Sequence, residues 1–228
     1  MGETGKLVDF LRKSVLFQNL TESDLRKISL NFEIIDLPMG EVLFYEKDES
    51  DDMYLVLEGK VRASLFDEQG NELVLAELGP GEFIGEMSMI DQLPRSATVL
   101  AEENSRLAVL RRDSFLKILR ENPDIAINVI KALVARLRRT DDMVEALAFR
   151  NVESRIIKFL IETGKEKGIT EGGMFKVRKM THKDLASRVG SSREAVTKAL
   201  KALTFKGMIK NKGNFWLVSP DAEEEVDP

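Results

Sequence analysis

The sequence predicts an α+β chain in three parts: an N-terminal antiparallel β-roll of the barrel or sandwich kind, a long helix, and a C-terminal winged helix-turn-helix domain. Three observations predict it. Between Phe32 and Leu110, short runs rich in Val, Leu, Ile and Phe alternate with glycine-containing turns, which is the pattern of a small antiparallel sheet structure. From Ala126 to Leu147, apolar residues recur at helical spacing. Near the C-terminus, Leu185, Ala186 and Val189 precede Gly190, and a second helical pattern follows. That is two helices about a tight turn.

Taken in order, residues 7–30 hold two short helix patterns, and Thr21 with Ser23 and Asp24 reads as the capped start of the second. The runs Val42–Tyr45, Tyr54–Leu57, Val61–Phe66, Leu73–Leu78 and Ala97–Ala101 are the expected strands. Turns fall at Pro38-Met39-Gly40, Glu58-Gly59-Lys60, Gln69-Gly70-Asn71 and Gly79-Pro80-Gly81. A short helix begins at Asp113 or Ser114 and ends near Asn122, and Pro123 suits the first turn of a long one. On that long helix, Ala126, Ile130, Leu133, Leu137, Thr140, Val144 and Leu147 form a heptad seam, which predicts a two-helix coiled coil and a homodimer. An amphipathic helix packed on its own domain is the alternative. Residues 150–165 form a further helix, and residues 164–173 a polar connection. Met208–Lys210 and Phe215–Val218 then make a hairpin about Asn211-Lys212-Gly213-Asn214. The expected boundaries are residues 1–120 for the β-roll, 121–150 for the dimerisation helix, 151–220 for the winged domain and 221–228 for an acidic, disordered tail.

Composition excludes several chemistries. Cysteine is absent and His182 is the one histidine, so disulfides, thiolate nucleophiles and multi-histidine metal sites cannot be built. No metal or bound cofactor is expected. The start, Met-Gly-Glu-Thr-Gly-Lys, is too polar for a signal peptide, and no run approaches a membrane span. A cytoplasmic protein without membrane contact is expected.

The chain is acidic overall, with a formal net charge of −5, but charge is segregated. Residues 178–212 hold ten basic side chains against Asp184 and Glu194, a local charge of +8. Such a patch is what a reader of double-stranded DNA needs. Thr181 opens the first helix of the pair, and Ser191 or Ser192 caps the second. Ala195, Val196, Ala199, Leu200 and Leu203 line the inner side of the second helix, leaving Arg193, Glu194, Thr197 and Lys198 outward. Arg193 can grip guanine O6 and N7, and Glu194 can accept from cytosine N4. Lys198 can meet base or phosphate. The expected DNA contacts are Thr181, Ser192, Arg193, Glu194, Thr197, Lys198 and Lys201. Solvated helix charges are the alternative for Arg193 and Glu194. His182 reads as an exposed polar residue or a phosphate contact, and Trp216 as core.

A second constellation lies in residues 85–98, Gly-Glu-Met-Ser-Met-Ile-Asp-Gln-Leu-Pro-Arg-Ser-Ala-Thr. A cyclic phosphodiester needs cationic and neutral donors for its phosphate and an acceptor for a sugar hydroxyl. Gly85 permits close backbone approach and Glu86 can accept from the sugar. Arg95 offers a guanidinium fork, and Ser96 a hydroxyl and an N–H. A structural Glu86–Arg95 salt bridge across a turn is the alternative.

The stretch from Phe83 to Ser88 and from Pro94 to Ala97 resembles the phosphate-binding cassette of cyclic-nucleotide-binding domains. The order of β-roll, long helix and winged helix-turn-helix resembles the cyclic-AMP receptor (CRP/FNR) family of bacterial transcription regulators over nearly the entire chain. The resemblance implies ligand roles for Gly85, Glu86, Arg95 and Ser96. It places the nucleotide base against Thr140 and Asp141 on the long helix. Where cyclic-AMP-binding relatives have a serine, this chain has Asp141, which only accepts hydrogen bonds. Cyclic AMP is the expected effector, with cyclic GMP and cyclic di-GMP as alternatives. Arg136, one turn before Thr140, pairs with Glu86 or is a solvated coiled-coil charge. The resemblance further implies a palindromic operator with TGTGA-like half-sites, RNA polymerase as a partner, and activation of transcription. Lys198 stands where the family has arginine, and lysine lacks arginine's planar fork, so sequence preference at that contact is expected to be relaxed. A regulator that no longer needs a nucleotide is the rival within the fold. A phosphoesterase using Glu86 and Asp91 would need a metal or base that the cassette does not offer, so no enzyme is expected.

Overall fold

The computed structural model describes residues 3–226. Two short helices, α1 (Glu3–Lys13) and α2 (Glu22–Ser29), open the chain. Thr21 caps α2, its hydroxyl accepting from the Asp24 N–H. Eight strands follow: β1 (Phe32–Leu37), β2 (Val42–Phe44), β3 (Met53–Glu58), β4 (Val61–Phe66), β5 (Glu72–Leu78), β6 (Phe83–Ile84), β7 (Thr98–Ala101) and β8 (Ser105–Leu110). They build two four-stranded sheets, ordered β1-β8-β3-β6 and β2-β7-β4-β5. The pairings of β8 with β1 and β3, and of β7 with β2 and β4, are antiparallel. Alternate residues of β3 and β8, such as Leu55 and Ala108, point inward with Met53, Phe83 and Phe115. Val56, Val61, Val99 and Leu107 centre the second cluster. β1, β6 and β8 lie outside the expected strands. Between β6 and β7 sits a short helix, α3 (Glu86–Asp91).

Two helices complete this part, α4 (Arg112–Glu121) and the 27-residue α5 (Pro123–Phe149). Asn122 caps α4 and Pro123 opens α5. Ile125, Asn128 and Val129 of α5 are buried on the first unit, and Leu133 packs on the same core. This corrects the expected seam. Leu133 faces inward and Ala126 is half-buried, whereas Ile127, Ile130, Val134, Leu137, Val144 and Leu147 are exposed large apolar residues. As far as Leu137 the exposed stripe keeps heptad spacing but is displaced by one residue at alternate positions.

Contact clustering divides the chain into two compact units, residues 1–65 with 75–138, and residues 66–74 with 139–228. In the second, α6 (Val152–Lys167) is capped by the Asn151 side chain. It is followed by β9 (Thr170–Glu171), β10 (Met174–Arg178), α7 (His182–Val189), α8 (Arg193–Phe205), β11 (Ile209–Lys212), β12 (Phe215–Val218) and α9 (Ala222–Glu225). The sheet order is β11-β12-β10-β9. Ile156, Leu160, Leu185, Val196, Leu203 and Trp216 form one core. The expected disordered tail is corrected as far as Val226. Ala222 and Val226 are buried in that core, and Glu223 pairs with Arg150. Burial of two apolar side chains outweighs the solvation of the intervening carboxylates. Residues 227 and 228 lie outside the described residues. The described wing also gains β9 and β10, within and just after the stretch expected as an irregular connection.

Candidate functional site

The anion cassette is built on a turn that only glycine adopts easily. Gly85 sits at φ +91° as the N-cap of α3. A Cβ there would lie 2.6 Å from Arg95 Nη1 and 2.6 Å from the Asp52 carbonyl oxygen, so the position has both a conformational and a steric demand. The backbone of Arg95 is laced to the loop before β3: Lys47 N–H donates to the Arg95 carbonyl and Arg95 N–H to that of Asp48. Its side chain is 2 % exposed. Nε donates to Ser50 Oγ at 2.8 Å, Nη1 to the Gly85 carbonyl at 3.0 Å and Nη2 to the Asp52 carbonyl at 2.8 Å. The guanidinium also lies 4.2 Å above the Phe44 ring. Burial pulls its pKa below the ordinary value, with Tyr54 and the acids of this loop opposing. The guanidinium is thus committed to the loop in this state. Ser50, Asp52 and Phe44 are partners without a signal in the sequence, because each is more than forty residues away.

Glu86 follows Gly85 and is 1 % exposed. The alternative Glu86–Arg95 bridge is not formed. Glu86 Oε1 instead pairs with Arg136 Nη1 of α5, while Arg136 Nη2 donates to the Phe83 carbonyl at 3.0 Å. Glu86 Oε2 is buried and has no hydrogen-bond partner among the described residues. Burial raises the carboxyl pKa above its ordinary value, and Arg136, its own backbone N–H and Arg95 oppose that. A buried carboxylate oxygen left without a donor costs free energy until a hydroxyl reaches it. Ser96 is exposed, its Oγ 3.5 Å from Met87 Sδ. An open cleft of about 370 Å³ beside α3 is lined by Glu49, Ser50, Asp51, Ser88 and Gln92 among others. Gly85, Glu86, Arg95 and Arg136 are therefore brought together. Thr140 and Asp141 belong to the second unit, where both are exposed on α5. Arg136 and Thr140 are four residues apart and share a helix face.

The second site lies on α7 and α8. The Thr181 hydroxyl accepts from the Asp184 N–H at 3.0 Å and donates to its carboxylate, capping α7. Gly190, at φ +60°, ends α7. Arg155 Nη1 donates to the Val189 and Gly190 carbonyls there. Ser192 caps α8, accepting from the Ala195 N–H at 3.1 Å. Val196, Ala199, Leu200 and Leu203 are buried, which turns Arg193, Glu194, Lys198 and Lys201 outward, all exposed. No side chain of these four makes a hydrogen bond or ion pair among the described residues. Thr197 is half-buried and its hydroxyl donates to the Arg193 carbonyl at 2.8 Å. One expectation is corrected. His182 is half-buried with Nδ1 2.7 Å from Thr197 Oγ1, so it is not a freely exposed polar residue.

Residues 34–122 match the cyclic nucleotide-binding domain and residues 154–223 the Crp-like helix-turn-helix domain. Together with the buried cassette and the free basic helix, these define a cyclic-nucleotide-binding transcription regulator. The chain is 30 % identical over 212 residues to the CRP-like cAMP-activated global transcriptional regulator of Mycobacterium tuberculosis, covering 92 % of this chain and 95 % of that one. It is 34 % identical over 200 residues to the cyclic AMP receptor protein of Thermus thermophilus, covering 88 % and 90 %. The c-di-GMP responsive regulator CLP of Xanthomonas campestris shares the fold, with a TM-score of 0.78 at 24 % identity over 87 % of this chain and 99 % of that one. The chain belongs to the CRP/FNR family of transcription regulators. The matched domains and relatives are those of DNA-binding regulators, not enzymes. No described helix is long and apolar enough to cross a membrane.

Proposed function

We propose that this regulator is a homodimeric, cyclic-AMP-dependent activator that works with RNA polymerase. One observation carries the ligand reading: Glu86 Oε2, buried beside the Gly85 turn and lacking a donor. A ribose hydroxyl supplies that donor. The phosphate then falls to the turn at Gly85, to Ser96, and to Arg95 once its fork leaves the Asp52 and Gly85 carbonyls. Arg136 holds Glu86 from α5, and Thr140 with Asp141 meets the base. Two of the relatives reported above are a cAMP-activated regulator and a cyclic AMP receptor, which supports adenine over guanine. DNA is read by Arg193, Glu194, Lys198 and Lys201, with Thr181 and Ser192 at helix starts where N–H groups suit phosphate. Ligand binding shifts the dimer toward a state whose reading heads match half-sites one DNA turn apart.

The test is a gel-shift titration on a TGTGA palindrome with cyclic AMP, cyclic GMP, cyclic di-GMP or no nucleotide. Tighter binding with cyclic AMP alone supports the proposal. Equal binding without nucleotide refutes it. The Asp141 carboxylate favours a second reading, a guanine ligand whose N1–H and amino group it would accept. In calorimetry, Asp141→Ser then weakens cyclic GMP far more than cyclic AMP; equal loss removes that reading.

A further inference from the structure

The link between His182 and Thr197 joins the first turn of α7 to the first turns of α8. Thr197 Oγ1 lies 2.8 Å from the Arg193 carbonyl oxygen and 2.7 Å from His182 Nδ1. A hydroxyl has one proton to give. The carbonyl can only accept, so that proton goes to Arg193. The short contact to Nδ1 is then favourable only if the imidazole donates through Nδ1–H. Both contacts are met by one arrangement of protons, in which His182 is the donor to Thr197. The hydroxyl's proton is then unavailable to a base or phosphate. Of the two heavy-atom groups on the threonine Cβ, the methyl remains for any surface outside the helix pair. Thr197 lies four residues from Arg193 and Lys201, on the face that carries the unpaired charges of α8.

We propose that His182 is a specificity-determining positioning residue of the DNA-reading head. By holding the Thr197 hydroxyl, it makes residue 197 meet DNA as a methyl group, which selects thymine at the base step it faces. The major groove exposes the thymine 5-methyl, and a threonine methyl is a suitable apolar partner for it. Residue 197 is thereby a hydrophobic reader set between two cationic ones.

This inference rests on the DNA-reading role proposed above. Its test separates the two. Full-length protein selects an operator from random duplexes under the nucleotide that supports binding. Each thymine of the half-site is then replaced by deoxyuridine, and affinity is read by fluorescence anisotropy. For the wild-type chain, one replacement per half-site is expected to lower affinity by about fourfold, the value of one buried methyl group. Thr197→Ser keeps the hydroxyl and loses the methyl, so the penalty disappears. Thr197→Val keeps a methyl and loses the hydroxyl, so the penalty stays. His182→Ala releases the hydroxyl and reduces the penalty. His182→Asn, whose amide nitrogen takes the place of Nδ1, restores it. A thymine penalty that is absent in the wild type, or unchanged in Thr197→Ser or His182→Ala, overturns the proposal. Thermal melting of each variant excludes simple unfolding of the reading head. Failure of the wild type to enrich any sequence would instead refute the DNA-reading role itself.

Discussion

Removing the two partners of the Glu86–Arg136 pair should have unequal consequences. The side chain of Glu86 is 1 % exposed, whereas that of Arg136 is 28 % exposed and also holds the Phe83 carbonyl. Arg136→Met would leave a carboxylate buried with neither oxygen paired. Breaking a buried pair in this way costs about 3–5 kcal/mol. At ~2–4 °C per kcal/mol for a protein of this size, Tm falls on the order of 10 °C at neutral pH. Glu86→Gln removes the buried charge and keeps an acceptor for Arg136, which retains solvent and a carbonyl. Its stability should stay within about 1 kcal/mol of the wild type. The pH dependence gives the sign. Burial already raises the Glu86 pKa in the folded protein, and Arg136 is the largest opposing influence. Without Arg136, the folded state holds its proton to still higher pH than the unfolded chain does. The associated stability is fully present below the unfolded carboxyl value and is lost as pH rises through the folded one. Arg136→Met should therefore regain stability on acidification from pH 8 toward pH 5, and Glu86→Gln/Arg136→Met should recover most of it at all pH values. Differential scanning calorimetry across that range is the assay. Equal losses for the two single variants, or a pH-independent loss for Arg136→Met, would show that Glu86 is not a buried charge held by Arg136.

Other expectations follow from the same geometry. Gly85→Ala places a Cβ against Arg95 and the Asp52 carbonyl at a positive φ, so calorimetry should show nucleotide affinity down at least roughly tenfold, equivalent to ~1.4 kcal/mol. Leu137, 61 % exposed on the apolar stripe of α5, should matter to association: Leu137→Glu is expected to give monomers in analytical ultracentrifugation and to lose operator binding with them. Val226→Asp inserts a charge into the core that holds Ala222 and Trp216 and should destabilise the DNA-binding unit by about 2–3 kcal/mol, read by the fluorescence of Trp216 during urea unfolding; an unchanged midpoint would return the tail to a solvated segment.

Local chemistry was legible where one residue type decides a backbone state. Thr181, Gly190 and Ser192 mark the ends of α7 and α8 in the sequence, and the structure places caps at each. The short helix α3 after Gly85 was not expected, although the need for glycine at that turn was. The long-range partners were not legible. Arg95 meets Ser50, Asp52 and Phe44 because two loops distant in sequence converge, and no periodicity encodes that. β1 and β8 carry charges at Glu33, Asp36 and Arg106 within apolar runs. Their mutual pairing, with Asp36 opposite Arg106, makes them strands. The acidic tail was misread for a related reason. Its average composition is solvating, but Ala222 and Val226 are four residues apart and meet one core.

The seam of α5 shows what a heptad pattern can and cannot decide. Ile130, Leu137 and Val144 fit both the expected and the observed stripe, so spacing alone gives two answers. The choice depends on which neighbours the first unit claims. Ile125, Asn128, Val129 and Leu133 pack on it, with the Asn128 amide donating to the Leu16 carbonyl. That leaves Ile127, Ile130, Val134, Leu137 and Val144 for a partner. Beyond Leu137 the two registers are not separated, because Leu147 of the expected seam and Ala148 of the displaced one are both exposed. Thr140 and Asp141 are both exposed on α5. One polar residue on an otherwise apolar seam costs dimer stability unless it is satisfied.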